Sequence, residues 1–98
     1  FIYYNGGIME INYEDINKNN IIIDIRYPSD YEEYHLKNSI NIPRIVLLSD
    51  PKKYLSDKEN YIICDKGIVS KSCVKVLNAL GYKCKSIEGG IERVRKKI

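Results

Sequence analysis

The sequence predicts an α/β fold: a small, mainly parallel sheet of about five strands, flanked by helices on both faces. Three observations carry that prediction. Short β-branched runs alternate with stretches of helical periodicity, and strands separated by helices pair in parallel. Pro28, Pro43, Asp50-Pro51 and Gly81 punctuate the alternation. The chain has 98 residues, enough for one domain and too few for two.

The elements follow in order. Met9 to Ile11 reads as a short strand and Tyr13 to Asn17 as a helical turn. Ile21 to Ile25 is rich in β-branched residues and reads as a buried strand. Asp24 ends its most apolar part, and Pro28 forbids much further extension. Pro28-Ser29-Asp30 opens a helix, with Ser29 or Asp30 as the cap over Tyr31 to Tyr34. Ser39 to Ile42 alternates polar and apolar as a short strand does, and Pro43 closes it. Arg44 to Leu48 makes a helical turn or two, and Asp50-Pro51 marks a break. Tyr61 to Cys64 is the second strong strand, followed by the turn-like Asp65-Lys66-Gly67. Between Ser70 and Leu80, the residues Cys73, Val74, Val76, Leu77 and Leu80 fall at helical spacing, and Gly81 stands where a C-cap belongs. Tyr82 to Ile87 is a further strand, and Gly89-Gly90 opens a last helix over Ile91 to Lys97.

Composition excludes several classes. The chain is 44% hydrophobic and 30% charged, ordinary for a globular domain. The net charge of +3 is a weak excess; its clusters, Lys52-Lys53 and Arg93, Arg95, Lys96 and Lys97, read as solvated helix surface. No groove-reading motif accompanies them, so no nucleic-acid partner is expected. Apolar runs such as Ile21-Ile22-Ile23 are far too short to cross a bilayer, so no membrane partner is expected either. Phe1 to Ile8 lacks the charged start and long apolar stretch of a secretion signal. Cys64, Cys73 and Cys84 are odd in number and contain no C-x-x-C pair, which argues against a disulfide framework and against a tetrahedral metal site. A single His35 has no partner at metal-ligand spacing. A reducing, cytoplasmic setting without metal or other cofactor fits this cysteine usage.

Cys64 is the candidate for chemistry. It follows a buried strand, precedes a short glycine-containing loop, and the loop runs into a helix. Backbone N–H groups in such a loop can turn inward around an anion. The helix N-terminus adds unpaired N–H groups and about half a positive charge. Both favour thiolate over thiol, and Lys66 adds a cation next door. The same cradle would hold a persulfide, whose outer sulfur is anionic. From this segment alone, Cys64 reads equally well as a small buried hydrophobe ending a strand. Cys73 lies on the apolar stripe of its helix and is expected in the core; Cys84 begins or precedes a strand and is expected to be partly exposed.

Three separated segments extend the pattern. Ile22-Ile23-Asp24-Ile25-Arg26, then Asp30-Tyr31-Glu32-Glu33-Tyr34-His35-Leu36, then Asn41-Ile42-Pro43 form the first. Cys64-Asp65-Lys66-Gly67-Ile68-Val69-Ser70 is the second. Leu80-Gly81-Tyr82 and Glu88-Gly89-Gly90-Ile91 form the third. In order and spacing they resemble the single-domain rhodanese-like sulfurtransferase family: its D-x-R strand end, acidic helix and N-I-P close, its C-x-x-G-x-R-S active loop, and its L-G-[FY] and G-G-[IW] closing elements. The resemblance implies one domain over residues 1–98, with a core at about 9–97.

It also implies sulfur transfer. Cys64 would be the nucleophile that takes a sulfane sulfur from thiosulfate, polysulfide, a low-molecular-weight persulfide or a partner protein's persulfide, and passes it to a thiophilic acceptor such as a thiol. Asp65, Lys66, Gly67, Ile68, Val69 and Ser70 would form the backbone cradle. Asp24 and Arg26 would be the charged pair that braces the loop, or a purely structural ion pair. A monomer or weak dimer is the usual state of such domains. His35 matches a structural position, and a cradled thiolate needs no base.

The sequence also departs from the family pattern. Val69 stands where many members have arginine, which removes a fixed multidentate cation for gripping an oxyanion. Weak thiosulfate use is therefore expected. Tyr34 and Asn38 replace common glycines, and Val94 replaces a frequent tryptophan. A phosphatase of related fold would need a longer loop with an arginine to clamp phosphoryl oxygens, and this loop has none. The rival from another class is a non-catalytic regulatory or protein-interaction module.

Overall fold

The computed structural model describes residues 9–97; the reading of Phe1 to Ile8 lies outside them. Five strands form one sheet: β1 (Glu10–Ile11), β2 (Ile22–Asp24), β3 (Ser39–Asn41), β4 (Asn60–Ile63) and β5 (Cys84–Ile87). Their order is β1-β5-β4-β2-β3, and every pairing is parallel. The helices are α1 (Pro28–Glu33), α2 (Arg44–Ser49), α3 (Pro51–Tyr54), α4 (Ile68–Ala79) and α5 (Gly90–Lys97), with a 3-10 turn over Tyr13–Asp15.

The pleat divides the core in two. Ile23 and Ile62 face one side, where they meet Leu47 of α2 and Cys73, Val74 and Leu77 of α4. Their neighbours Ile22 and Ile63 face the other side, against Ile91 and Val94 of α5. Helices therefore cover both faces, as the alternation of the sequence predicts.

The predicted elements are all present, with shifted ends. The strand read over Ile21 to Ile25 is confined to Ile22–Asp24. The helix read from Ser70 begins at Ile68, because Gly67 adopts φ +86° as its N-cap. Neither Ser29 nor Asp30 caps α1. Pro28 takes the first helical position, which makes Tyr27 the N-cap, without a side-chain bond. The break at Asp50-Pro51 opens α3, again with proline in its first turn. Gly81, at φ +101°, ends α4 as expected: its N–H donates to the Asn78 carbonyl, and Tyr82 N–H donates to that of Leu77.

Candidate active site

The carboxyl ends of the two central strands build the site. Cys64 follows β4 and Asp24 ends the neighbouring β2, with Asp24 in register with Ile63. Ligands of open parallel sheets collect at this end.

Cys64 sits 5% exposed at the floor of a pocket. Its Sγ accepts the backbone N–H of Gly67 at 3.2 Å and of Ser70 at 3.2 Å, and lies 3.2 Å from the Ser70 Oγ. Ser70 occupies the first turn of the twelve-residue α4, so its N–H is one of the donors that a helix cannot satisfy internally. The sulfur takes the place of a side-chain cap at the positive end of the helix.

Two glycines make this geometry possible. Gly67 needs its positive φ, and a Cβ on it would stand 2.9 Å from Gly89 N. Gly90, at φ +63°, lies against the carbonyls of Cys64 and Asp65 with no room for a Cβ. The start of α5 binds those carbonyls: Ile91 N–H donates to Cys64 O and Glu92 N–H to Asp65 O, each at 2.9 Å. A trans peptide points its N–H opposite its C=O, so this turns the N–H groups of Asp65 and Lys66 away from α5.

Asp24 and Arg26 meet as a pair. Asp24 is fully buried. Arg26 Nε donates to both of its carboxylate oxygens, at 3.0 and 3.2 Å, and Nη2 donates at 2.8 Å. The same guanidinium donates to the Tyr34 carbonyl at 2.6 Å and reaches Asp65 Oδ1 at 3.6 Å. Burial works against the Arg26 charge; the hydrogen bond and charge of Asp24 outweigh it, so the net shift is upward. The pair thus ties the end of β2 to the end of α1 and to the cysteine loop, and neither residue bonds to Sγ.

The rest of the expected cradle divides. Gly67 and Ser70 point at the sulfur. Asp65 is exposed and faces Arg26. Lys66 is exposed and makes no ion pair among the described residues. Ile68 and Val69 turn outward, 71% and 45% exposed. They form the rim of an open pocket of about 570 Å³ together with Tyr27, Ile45 and Arg44. The rim is apolar at position 69, where an arginine would have added a further cation to Arg44 and Lys66.

The sequence reading missed three contributors. Tyr27, Arg44 and Ile45 come from other elements, and no local signal marks them. Gly89-Gly90 reads in the sequence as a helix start and a family closing element, and neither reading places it against the cysteine loop. Ser86 is fully buried with its Oγ 2.6 Å from that of Ser70. Its signal was a lone polar residue on the inward face of β5, two positions after Cys84, where a partner is required.

The expectation for Cys84 is corrected: it is 3% exposed, because β5 lies between two strands and α4 covers that face. Cys73 is in the core as predicted, at 1%. All three cysteines are unpaired. His35 stands on the surface after α1, its ring stacked on Tyr31 with centroids 3.8 Å apart. Among the described residues, no cluster of three or more His, Cys, Asp or Glu could hold a metal ion. None of the described helices is long and apolar enough to cross a membrane.

Comparison with known proteins agrees with this fold. The family model for the rhodanese-like domain matches residues 9–97. A curated relative, the adenylyltransferase and sulfurtransferase uba4 of Ogataea parapolymorpha, is 35% identical over 83 residues, covering 79% of this chain and 20% of that protein. The chain therefore spans about a fifth of that relative's length. Among solved structures, a rhodanese-related protein from Thermoplasma volcanium superposes with a TM-score of 0.80 at 32% identity, over 90% of this chain and 91% of the other. An NAD-dependent persulfide reductase from A. fulgidus gives 0.71 at 26% identity, over 91% of this chain and 16% of the reductase. The chain belongs to the rhodanese-like domain family.

Proposed function

We propose that this domain is a sulfurtransferase that carries sulfane sulfur as a persulfide on Cys64. One observation carries the reading: a cysteine sulfur at the floor of an open pocket accepts two backbone N–H bonds at the positive end of a long helix. The sulfurtransferase and persulfide reductase names of its relatives support it.

In loading, the Cys64 thiolate attacks the outer sulfur of a donor R–S–SH. The new Sγ–S bond forms as the donor S–S bond breaks, giving Cys64–S–SH and RS⁻. With thiosulfate the leaving group is sulfite. In unloading, an acceptor thiolate attacks the outer sulfur, and the electron pair of the Sγ–S bond returns to Cys64. No other cofactor takes part. The turned N–H groups of Asp65 and Lys66 suit the outer sulfur of the persulfide. Asp24 and Arg26 hold the loop in place.

Tyr27, Ile45, Ile68 and Val69 give the rim an apolar side, next to the cations Arg44 and Lys66. That side suits an organic persulfide, of low molecular weight or on a partner protein, better than a small oxyanion. A reducing compartment such as the cytoplasm keeps the thiol available. Intact-mass measurement after polysulfide treatment tests the reading: one added sulfur is expected, absent in Cys64→Ser. Val69→Arg should raise thiosulfate turnover about tenfold, the equivalent of about 1.4 kcal/mol of oxyanion grip. The same rim keeps a second reading in play, a module that binds a partner without chemistry. No adduct on Cys64 with any donor would favour it.

A further inference from the structure

The reaction above leaves Ser86 without a part, yet Ser86 is placed as closely as Ser70. Both serines are fully buried, Ser70 on α4 and Ser86 on β5 beneath it. Their Oγ atoms lie 2.6 Å apart, and Ser70 Oγ is 3.2 Å from the Cys64 Sγ. No buried side-chain polar atom among the described residues lacks a partner.

Each hydroxyl has one proton to give. A thiolate sulfur only accepts, so when Cys64 is ionised Ser70 donates to Sγ and its oxygen takes the proton of Ser86. A protonated Cys64 can donate to Ser70, which then donates to Ser86. The chain of donors reverses with the charge on the sulfur. Loading reverses it as well. In Cys64–S–S⁻ the charge moves to the outer sulfur, and the bridging Sγ becomes a poor acceptor.

We propose that Ser70 and Ser86 form a two-hydroxyl relay that senses charge on Cys64 and favours unloading over loading. This inference rests on the persulfide reading for its second half. In unloading, RS⁻ attacks the outer sulfur, the Sγ–S bond breaks and its electron pair arrives on Sγ. At that moment Ser70 swings its proton to the sulfur, and Ser86 follows by donating to Ser70. The leaving thiolate so gains a third donor beside Gly67 and Ser70 N–H. Ser86 never touches the reacting atoms; it is a positioning residue that acts through Ser70.

The test combines two readouts on Ser70→Ala, Ser86→Ala, the double variant and Ser86→Thr. The first is the pH profile of Cys64 alkylation by iodoacetamide, with the modified site identified by peptide mass. The second is single-turnover transfer of sulfur from polysulfide-loaded protein to 2-mercaptoethanol. Ser70→Ala should raise the alkylation midpoint by about one pH unit and slow unloading about tenfold, the loss of one hydrogen bond to a charged group. Ser86→Ala should give about a third of the rate effect and a smaller midpoint rise in the same direction. Loading should change less than unloading in both. The double variant should match Ser70→Ala, because Ser86 has nothing to act through once the first hydroxyl is gone. Ser86→Thr keeps the hydroxyl and should restore the wild-type profile, which separates loss of the donor from disturbance of the fold.

An unchanged profile in Ser86→Ala overturns the relay. So does a Ser86→Ala effect of equal size with and without Ser70. Absence of any persulfide on the wild type would instead sink the sulfurtransferase reading, and the alkylation profile would still decide the hydroxyl chain.

Discussion

Gly90 shows how much of the site depends on a missing atom. Its φ is +63°, and a Cβ would run into the Cys64 carbonyl and stand 2.5 Å from that of Asp65. Those carbonyls cannot retreat, since α5 binds both through Ile91 and Glu92. Gly90→Ala therefore combines left-handed strain with backbone overlap, a cost of about 2–4 kcal/mol. A fall in Tm of more than about 10 °C is expected in thermal unfolding. Alkylation of Cys64 should also lose its selectivity over Cys73 and Cys84, because the loop must move. An unchanged melting curve would show that the loop accommodates the methyl. At this level the sequence discloses what is close along the chain. Cys64, Gly67 and Ser70 lie within seven residues, so their meeting follows from one loop entering one helix. Ser86 is sixteen residues beyond Ser70 and reaches it only through the pairing of β5 with β4, which a local pattern does not encode. Cys84 was misjudged for the same reason, its burial being decided by the strands on either side.

The connection from β2 to α1 shows the same division between local chemistry and placement. The D-x-R spacing announces a charged pair, and the structure forms it. What spacing alone does not give is the second and third partners of Arg26, the Tyr34 carbonyl and Asp65, which make the pair a clamp between two elements and the loop. The Arg26 side chain is only 7% exposed and Asp24 is fully buried. Removing one partner therefore strands a buried charge, whereas an exposed pair would matter little. Asp24→Ala is expected to cost about 3–5 kcal/mol in urea unfolding, and Asp24→Asn less, since the amide still accepts one bond. A cost below about 1 kcal/mol for Asp24→Ala would mean that water reaches the guanidinium and the clamp is incidental. The shifted helix starts have local causes. Proline at the first position of α1 moves the cap outward to Tyr27, away from Ser29 and Asp30, which capping rules favour. At α4 the exposed Ile68 and Val69 break the apolar stripe, so periodicity places the start two residues late.

The whole sheet brings the three cysteines, nine and eleven residues apart in sequence, into one apolar cluster where α4 packs on the sheet. The alternation of strand and helix was enough to give the parallel class and both covered faces. The order β1-β5-β4-β2-β3 was not, because it rests on long-range pairing. That order has a measurable consequence in alkali. Burial pushes the Cys73 thiol up from 9.0 to about 11, against a small downward pull from Arg44. Burial pushes Cys84 up to about 12, with the neighbouring Cys73 and Glu59 adding to it. Both thiols thus hold their protons more tightly folded than unfolded. Below about pH 9 they are protonated in either state, and their contribution to stability is fully present. As pH rises from 9 towards 11 the unfolded chain loses these protons first, so stability falls. Between pH 8 and pH 10 the expected loss is about 1 kcal/mol for each thiol. Tyrosines and lysines titrate in the same window, so the comparison that isolates the effect is between variants. Cys73→Ala and Cys84→Ala each leave a small void and lower stability at pH 8, yet each should show a shallower decline towards pH 10 than the wild type. Urea unfolding at the two pH values measures that difference of slopes, and parallel declines in all three proteins would place the thiols in contact with water.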